Sequence, residues 1–152
     1  MLRYPMHLHY QETDYGCWKA SYRMLTHYKN GTASSPYMSD SWQGPNGGLN
    51  TDPDTLNEYC NANNLIMTSP CRFADLKYMI NNGPIMLLGL FDFGAHFYVV
   101  GGMDVDQPFG NTAFDFYDPK PNNAGNKALN LSASQFYASY PNCCVAAFQL
   151  GT

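Results

Sequence analysis

The chain has 152 residues, a length that fits one compact domain with its own core, and we assign residues 1–152 to a single domain. Its formal net charge is −4 and no basic run occurs, which argues against a nucleic-acid partner. The longest strongly apolar run, "PIMLLGLF", is far shorter than the roughly 20 residues that cross a bilayer, so we expect a soluble protein without a membrane partner.

The N-terminal half of the chain predicts helices. After an extended arm or short strand from Met1 to Thr13, small or apolar residues follow with helical spacing as far as the "KNGT" segment, at Cys17, Ala20, Met24, Leu25 and Tyr28. A second helix is predicted in "DPDTLNEYCNANN", with Asp52 as N-cap and Pro53 at its first position, and a third in "RFADLKYMINNG". Between the first two helices lies a Ser-, Pro- and Gly-rich loop, Thr32 to Gly48, which we expect to cover the surface or contact substrate.

The C-terminal half predicts strands. Four segments have the apolar or alternating pattern of a strand, namely "PIMLLGL", "AHFYVVGGMDVD", "NTAFDFYDP" and "CCVAAFQL". The segment "LSASQFYASY" predicts one more short helix, capped by Ser132 or Ser134. Because helices come first and an antiparallel sheet follows, the pattern predicts an α+β fold.

Five cysteines occur, an odd number without any CxxC pair, at Cys17, Cys60, Cys71, Cys143 and Cys144. This pattern is a poor disulfide framework and a poor zinc site, and we expect no metal. We therefore expect the last four cysteines to be reduced, small hydrophobic side chains. Cys17 differs from them because it stands at the start of a predicted helix.

Cys17 is the candidate nucleophile. The unpaired N–H groups and the dipole of a helix N-terminus favour a negatively charged sulfur, and the same N–H groups can stabilise the oxyanion of an acyl-transfer intermediate. The side-chain amide of Gln11, a short distance upstream, can add a second donor. We therefore predict a nucleophile at Cys17 and an oxyanion hole formed by Gln11 and the Cys17 backbone N–H.

The general base must be one of four histidines. His27 lies on the same predicted helix, about 15 Å from Cys17 at 1.5 Å per residue, and cannot reach the thiol. His7 and His9 lie on the arm that precedes the helix. His96 begins the apolar strand "HFYVVGG" after a glycine-containing turn, where a histidine can face a cleft, and it is the candidate base.

An imidazole that acts as a base needs a third group to orient it. Asp118 ends the next predicted strand, just before a proline, and pairing of the two strands would bring it near His96. The rivals are Asp104, Asp106 and Asp115, of which the first two lie at the far end of the strand that begins with His96. The residues alone favour Asp118 and leave Asp115 open.

The ordered segments "QETDYGCWKA", "AHFYVVGG" and "FYDP" resemble the papain-like cysteine peptidases, in particular the compact bacterial branch that includes secreted effector proteases and double-glycine bacteriocin-processing peptidases. The resemblance extends from Gln11 to about Tyr137. It implies a papain-like fold, with an N-terminal helical half packed on a C-terminal antiparallel sheet. It also implies the roles of nucleophile, base, orienting carboxylate and oxyanion donor for Cys17, His96, Asp118 and Gln11. Papain itself has an asparagine as third member and a longer chain, so only the chemistry is transferable.

The sequence thus predicts a cysteine endopeptidase that acts on a protein or peptide substrate without a metal or an organic cofactor. Its active cleft is expected between the helical half and the sheet. We expect Trp18, Trp42 and Ala95 to line this cleft, and the loop from Thr32 to Gly48 to contribute to specificity.

By analogy of fold, we expect a bacterial effector or the toxic module of a larger protein, delivered by a secretion system into the cytoplasm of a target cell. An immunity protein would then cover the cleft in the producing cell. Two alternatives stay open. The same triad could serve another acyl transfer, in a glutamine deamidase, a transglutaminase or a peptidoglycan amidase. The chain could also be a non-catalytic, peptidase-like binding domain, although such domains tend to lose the cysteine that this chain retains.

Overall fold

The structure, a computed structural model, describes residues 2–92, 94–120 and 131–152 of the chain. Four α-helices lie in this part of the chain: α1 (Cys17–Asn30), α2 (Pro53–Ala62), α3 (Phe73–Met79) and α4 (Ala133–Ser139). The strands described there are β1 (Leu2–Arg3), β2 (Leu65–Thr68), β3 (Ile85–Phe91), β4 (Gly94–Met103), β5 (Ala113–Tyr117), β6 (Leu131–Ser132) and β7 (Ala146–Leu150). Every predicted helix and all four predicted strands are present, whereas β2 and β6 were not predicted.

Local sequence signals set the helix ends. The left-handed Gly31, at φ 79°, ends α1, and its N–H donates to the His27 carbonyl. The Asp52 side chain accepts the Thr55 N–H at the start of α2, as its predicted N-cap role requires. Ser132, rather than Ser134, caps α4. None of the described helices has both the length and the apolar character needed to span a membrane.

The strands form one antiparallel sheet in the order β2-β7-β3-β4-β5-β6, and β1 pairs with the C-terminal end of β4. The central hairpin joins β3 to β4, with a register that runs from Ile85 opposite Val100 to Phe91 opposite Gly94. Strand β5 pairs with the other edge of β4. The end of β5 is therefore brought close to the start of β4, where His96 lies.

The sheet separates two hydrophobic cores. Side chains on one face of β3 and β4 pack with helices α1 and α2, and these are Met86, Leu88, Phe97 and Val99. Side chains on the other face pack with α3 and α4, and these are Ile85, Leu87, Tyr98 and Val100. This alternation follows from the two-residue period of a strand. The predicted α+β fold, with its N-terminal helices packed on the sheet, is confirmed, and α3 and α4 add a second helical layer.

The loop from Thr32 to Gly48 is attached to the end of α2. The Tyr37 N–H donates to the Asn63 side-chain oxygen at 2.7 Å, and the Asn63 side-chain nitrogen donates back to the Tyr37 carbonyl at 2.9 Å. Asn63 is buried, so this reciprocal pair satisfies polar groups that would otherwise be costly to bury.

Candidate active site

Cys17 is the first residue of α1 and lies at an N-terminus without a side-chain cap. The N-cap residue is Gly16, and the first turn contains no acidic residue. A Cβ atom at Gly16 would lie 3.0 Å from the Thr13 Oγ1 atom, so a glycine lets the loop fold tightly against the helix. The unpaired N–H groups and the positive end of the helix dipole are therefore directed at the region around the Cys17 thiol.

Strand β4 passes directly beside this thiol. The backbone N–H of Phe97 donates to the Cys17 Sγ atom, at 3.4 Å, and both residues are buried. The side chain of the preceding residue, His96, lies next to the Cys17 thiol, which contributes to the raised pKa of the imidazole. The structure thus brings the predicted nucleophile and the predicted base into contact, although the chain separates them by most of its helical half.

Asp118 follows the last residue of β5 and contacts the other side of the imidazole. Its Oδ1 atom lies 2.8 Å from His96 Nε2 and also accepts the backbone N–H of Lys120, at 2.9 Å. Because Nε2 faces the carboxylate, Nδ1 is the ring nitrogen left to face the thiol. The imidazole thus lies between the sulfur and the carboxylate.

These partners keep His96 protonated. Burial by itself lowers the pKa of the imidazole, but the hydrogen bond with Asp118 and the interactions with the neighbouring Cys17 and with the Asp118 charge outweigh burial and raise the pKa from 6.5 to about 9. An imidazolium beside a cysteine favours the thiolate form of that cysteine. The arrangement can therefore supply both a nucleophilic sulfur and a proton donor.

Gln11 is attached to the same turn that holds the carboxylate. Its backbone N–H donates to the Pro119 carbonyl at 2.8 Å. Its side-chain Nε2 donates to the carbonyl groups of Thr13 and Asp14, at 3.0 and 2.9 Å. Within the described residues, the Oε1 atom is buried and has no hydrogen-bond partner. Both N–H groups of the Gln11 amide are therefore in use. To contact an oxyanion, the amide nitrogen must give up its hydrogen bond to one of these two carbonyl groups.

These groups lie along an open cavity of about 520 Å³. Of the predicted residues, the ones that line this cavity are Gln11, Cys17, Trp18, Ala95 and His96. Gly48, the last residue of the predicted specificity loop, also lines it, and the lining residues that sequence reasoning missed are Asp14, Tyr15, Leu49, Thr51, Gly94, Phe97 and Lys120. Lys120 could have been inferred from its position two residues after the predicted triad carboxylate. Leu49 and Thr51 follow the predicted specificity loop directly, so the end of that loop, rather than its middle, contacts the cleft.

Trp42 lies elsewhere than expected. It is buried in the core beneath α1 and α2, with its ring 6.2 Å from that of Tyr59, and its Nε1 donates to the Glu58 carboxylate at 2.8 Å. It is not among the residues that line the cavity. The Glu58 partner and the edge-to-face aromatic contacts account for this position, because they satisfy the indole N–H and bury the ring. The structure therefore assigns Trp42 to the core and not to the cleft.

The rival residues have other partners. His9 Nε2 lies 2.9 Å from His27 Nδ1, and the His7 ring stacks on His27 at 3.9 Å. Asp115 forms an ion pair with Arg3, with an Nε to Oδ2 distance of 2.6 Å. These contacts connect the N-terminal arm to α1 and to the sheet.

The other cysteines are free and buried. Burial raises the pKa of Cys60 to about 11 and that of Cys143 to about 12, so these side chains remain neutral thiols near neutral pH. In the described part of the chain, no group of three or more His, Cys, Asp or Glu residues is arranged to hold a metal ion.

Comparison with family models matches residues 2–140 to the papain-like cysteine protease AvrRpt2 family. This match spans most of the chain, and the chain therefore belongs to that family and is a cysteine peptidase, a hydrolase. The resemblance inferred from the sequence motifs is confirmed. No curated protein sequence matches the chain.

Proposed function

We propose that this papain-like cysteine peptidase cleaves protein or peptide substrates with Cys17 as nucleophile, His96 as general base and acid, and Asp118 as the orienting carboxylate. The observation that supports these roles is the 2.8 Å contact between His96 Nε2 and Asp118 Oδ1, on an imidazole that lines the same open cavity as the Cys17 thiol. A nucleophile, a base in contact with it and a group that orients the base are the three parts of a catalytic triad.

In the first half of the reaction, the Cys17 sulfur, having given its proton to His96, attacks the scissile carbonyl carbon. The carbonyl oxygen becomes an oxyanion, which accepts a hydrogen bond from the Cys17 backbone N–H. The Gln11 amide donates a second hydrogen bond after it has released one of the two loop carbonyl groups that it contacts. The imidazolium then gives its proton to the leaving amine, and an acyl-enzyme remains on Cys17.

In the second half, the neutral imidazole takes a proton from a water molecule. The resulting hydroxide attacks the thioester carbonyl, and the Cys17 thiolate leaves as the carboxylic acid product forms. Asp118 keeps the imidazole in the same tautomer during both halves, because its Oδ1 is held at 2.8 Å from Nε2 and by the Lys120 N–H.

We further propose that the enzyme is a bacterial effector or toxin module that a secretion system delivers into the cytoplasm of a target cell. Membership of the AvrRpt2 family supports an effector role. A producing cell would then need an immunity protein that covers the cleft. The substrate is expected to be a protein of the target cell.

Terminal-amine proteomics of cells that express the wild type, Cys17→Ala or Cys60→Ala tests this proposal. Cys60 is a matched control, because it is also a buried free cysteine but lies on α2. We expect new protein N-termini with the wild type and with Cys60→Ala, and none with Cys17→Ala. The same new termini with Cys17→Ala would refute the proposal. Intact targets that gain about one dalton, without new termini, would instead indicate a deamidase.

A further inference from the structure

A second cavity, of about 340 Å³, adjoins the catalytic cavity. The two cavities share Gln11 and Trp18, and the segment between these residues separates them. Asp14 and Tyr15 line the catalytic side, whereas Glu12 and Gly16 line the other side. A polypeptide that leaves the catalytic cavity over Gln11 can therefore continue into the second cavity.

The second cavity is positively charged although the chain as a whole has a net charge of −4. Lys19 and Arg23 lie one turn apart on α1 and both line it. In the described part of the chain neither forms an ion pair; Arg23 donates to the Ser35 hydroxyl, at 3.0 Å. Glu12 is the single acidic residue among those that line this cavity. Two cations without carboxylate partners favour an anionic ligand.

The other residues that line the second cavity are better suited to bind a polypeptide than the phosphate backbone of a nucleic acid. Tyr10, Trp18, Pro36 and Met38 provide an apolar and aromatic wall, and two cations are too few for the phosphate contacts of nucleic acid.

We propose that the second cavity is an exosite that binds an acidic segment of the protein substrate, at a fixed distance on one side of the scissile bond. This inference rests on the proposed peptidase activity and adds a preference to it. The carboxylates of the segment pair with Lys19 and Arg23, and its apolar side chains pack against Tyr10 and Met38. This preference for acidic residues is separate from the preference of the catalytic cavity for the substrate residues beside the scissile bond.

The test is cleavage of a proteome-derived peptide library by the wild type, Lys19→Glu, Lys19→Gln and Lys77→Glu, with mass spectrometry of the sequences around each cut. Lys77 is a matched control for the charge change, because it lies on α3, which packs on the other face of the sheet. For the wild type and Lys77→Glu we expect Asp and Glu to be enriched about three- to tenfold at the flanking positions. Lys19→Gln should reduce this enrichment, and Lys19→Glu should abolish it.

A wild type that cleaves the library without acidic enrichment would overturn the exosite and leave the peptidase activity intact. Enrichment that persists in Lys19→Glu, or that is lost equally in Lys77→Glu, would overturn it as well. If the wild type produces no more cuts than Cys17→Ala, the proposed function fails, and the exosite fails with it.

Discussion

At the scale of single residues, the contacts of His96 determine the protonation state of its imidazole. The imidazole is buried, which favours its neutral form, yet it contacts Asp118 and Cys17, and its pKa is raised from 6.5 to about 9. A group whose pKa is higher in the folded protein stabilises the fold while it is protonated. This stabilisation is complete below about pH 6.5 and is lost as the pH rises toward 9.

Asp118→Asn should weaken catalysis and change its pH dependence. The carboxylate holds the imidazolium, so its loss should lower kcat/KM about 10²-fold or more and move the alkaline limb of the profile to lower pH by about 1 to 3 pH units. Burial would still lower the His96 pKa in this variant. The measurement is kcat/KM against pH for one peptide substrate. An unchanged alkaline limb would show that Asp118 does not set the protonation of His96.

Gln11→Ala should remove an oxyanion donor with little effect on substrate binding. The loss of one such donor lowers kcat about 10²- to 10³-fold, and KM should change little because the oxyanion exists only in the transition state. Steady-state rates and a thermal unfolding curve check this expectation together. If kcat stays within a small factor of the wild type, the amide of Gln11 has no role in the oxyanion hole.

At the scale of elements, the N-terminal arm connects Gln11, the proposed oxyanion donor, to the sheet. The Tyr4 N–H donates to the Gly101 carbonyl at 2.8 Å, and β1 pairs with β4 just beyond it. At Gly101 an added Cβ would lie 2.6 Å from the Met6 Cγ atom and 2.7 Å from the Tyr117 ring. The arm can therefore lie flat on β4 only because this position has no side chain.

Gly101→Ala should loosen the arm and disturb Gln11 at its end. Overpacking of this kind costs about 1 to 3 kcal/mol in the free energy of unfolding, and kcat/KM should fall because the arm leads into the oxyanion hole. Gly110→Ala is the control, since an added Cβ there meets no atom within 4 Å. Urea unfolding and peptide cleavage would be measured for both variants. Equal stability and activity of the two would contradict a role for the arm contact.

At the scale of the whole molecule, the two cores share one sheet and should unfold together. Cys60 lies in the core beneath α1 and α2, and Cys144 lies in the core beneath α3 and α4. Small proteins with such shared elements usually unfold in one cooperative step. We expect both thiols to become reactive at the same urea midpoint, which pulsed alkylation followed by mass spectrometry would measure. Two separate midpoints would show that the faces of the sheet unfold independently.

The helices and longer strands could be predicted because their signals are local. The N-cap at Asp52, the left-handed Gly31 and the apolar run of β3 each identify an element from a few neighbouring residues. Strands β2 and β6 are short, and their pairing partners are distant in the chain. Their formation therefore depends on tertiary pairing that a local pattern does not contain.

The residues of the proposed triad could be predicted from the sequence, but their geometry could not. The contact of Asp118 with His96 follows from the register of β4 and β5, and the attachment of Gln11 to Pro119 follows from the closure of the arm over the sheet. Trp42 was misplaced for a related reason. An aromatic residue in a glycine-rich loop can face the core or the cleft, and its distant partner Glu58 decides between them.

The most direct test of the central claim is to modify the purified enzyme with a thiol-directed peptidase inhibitor and to measure, in one sample, the modified cysteine and the remaining peptide cleavage. We expect that modification of Cys17 alone, one equivalent per chain, abolishes cleavage while the four other cysteines remain free. Cleavage that survives complete modification of Cys17, or that is lost while Cys17 remains unmodified, would contradict the account.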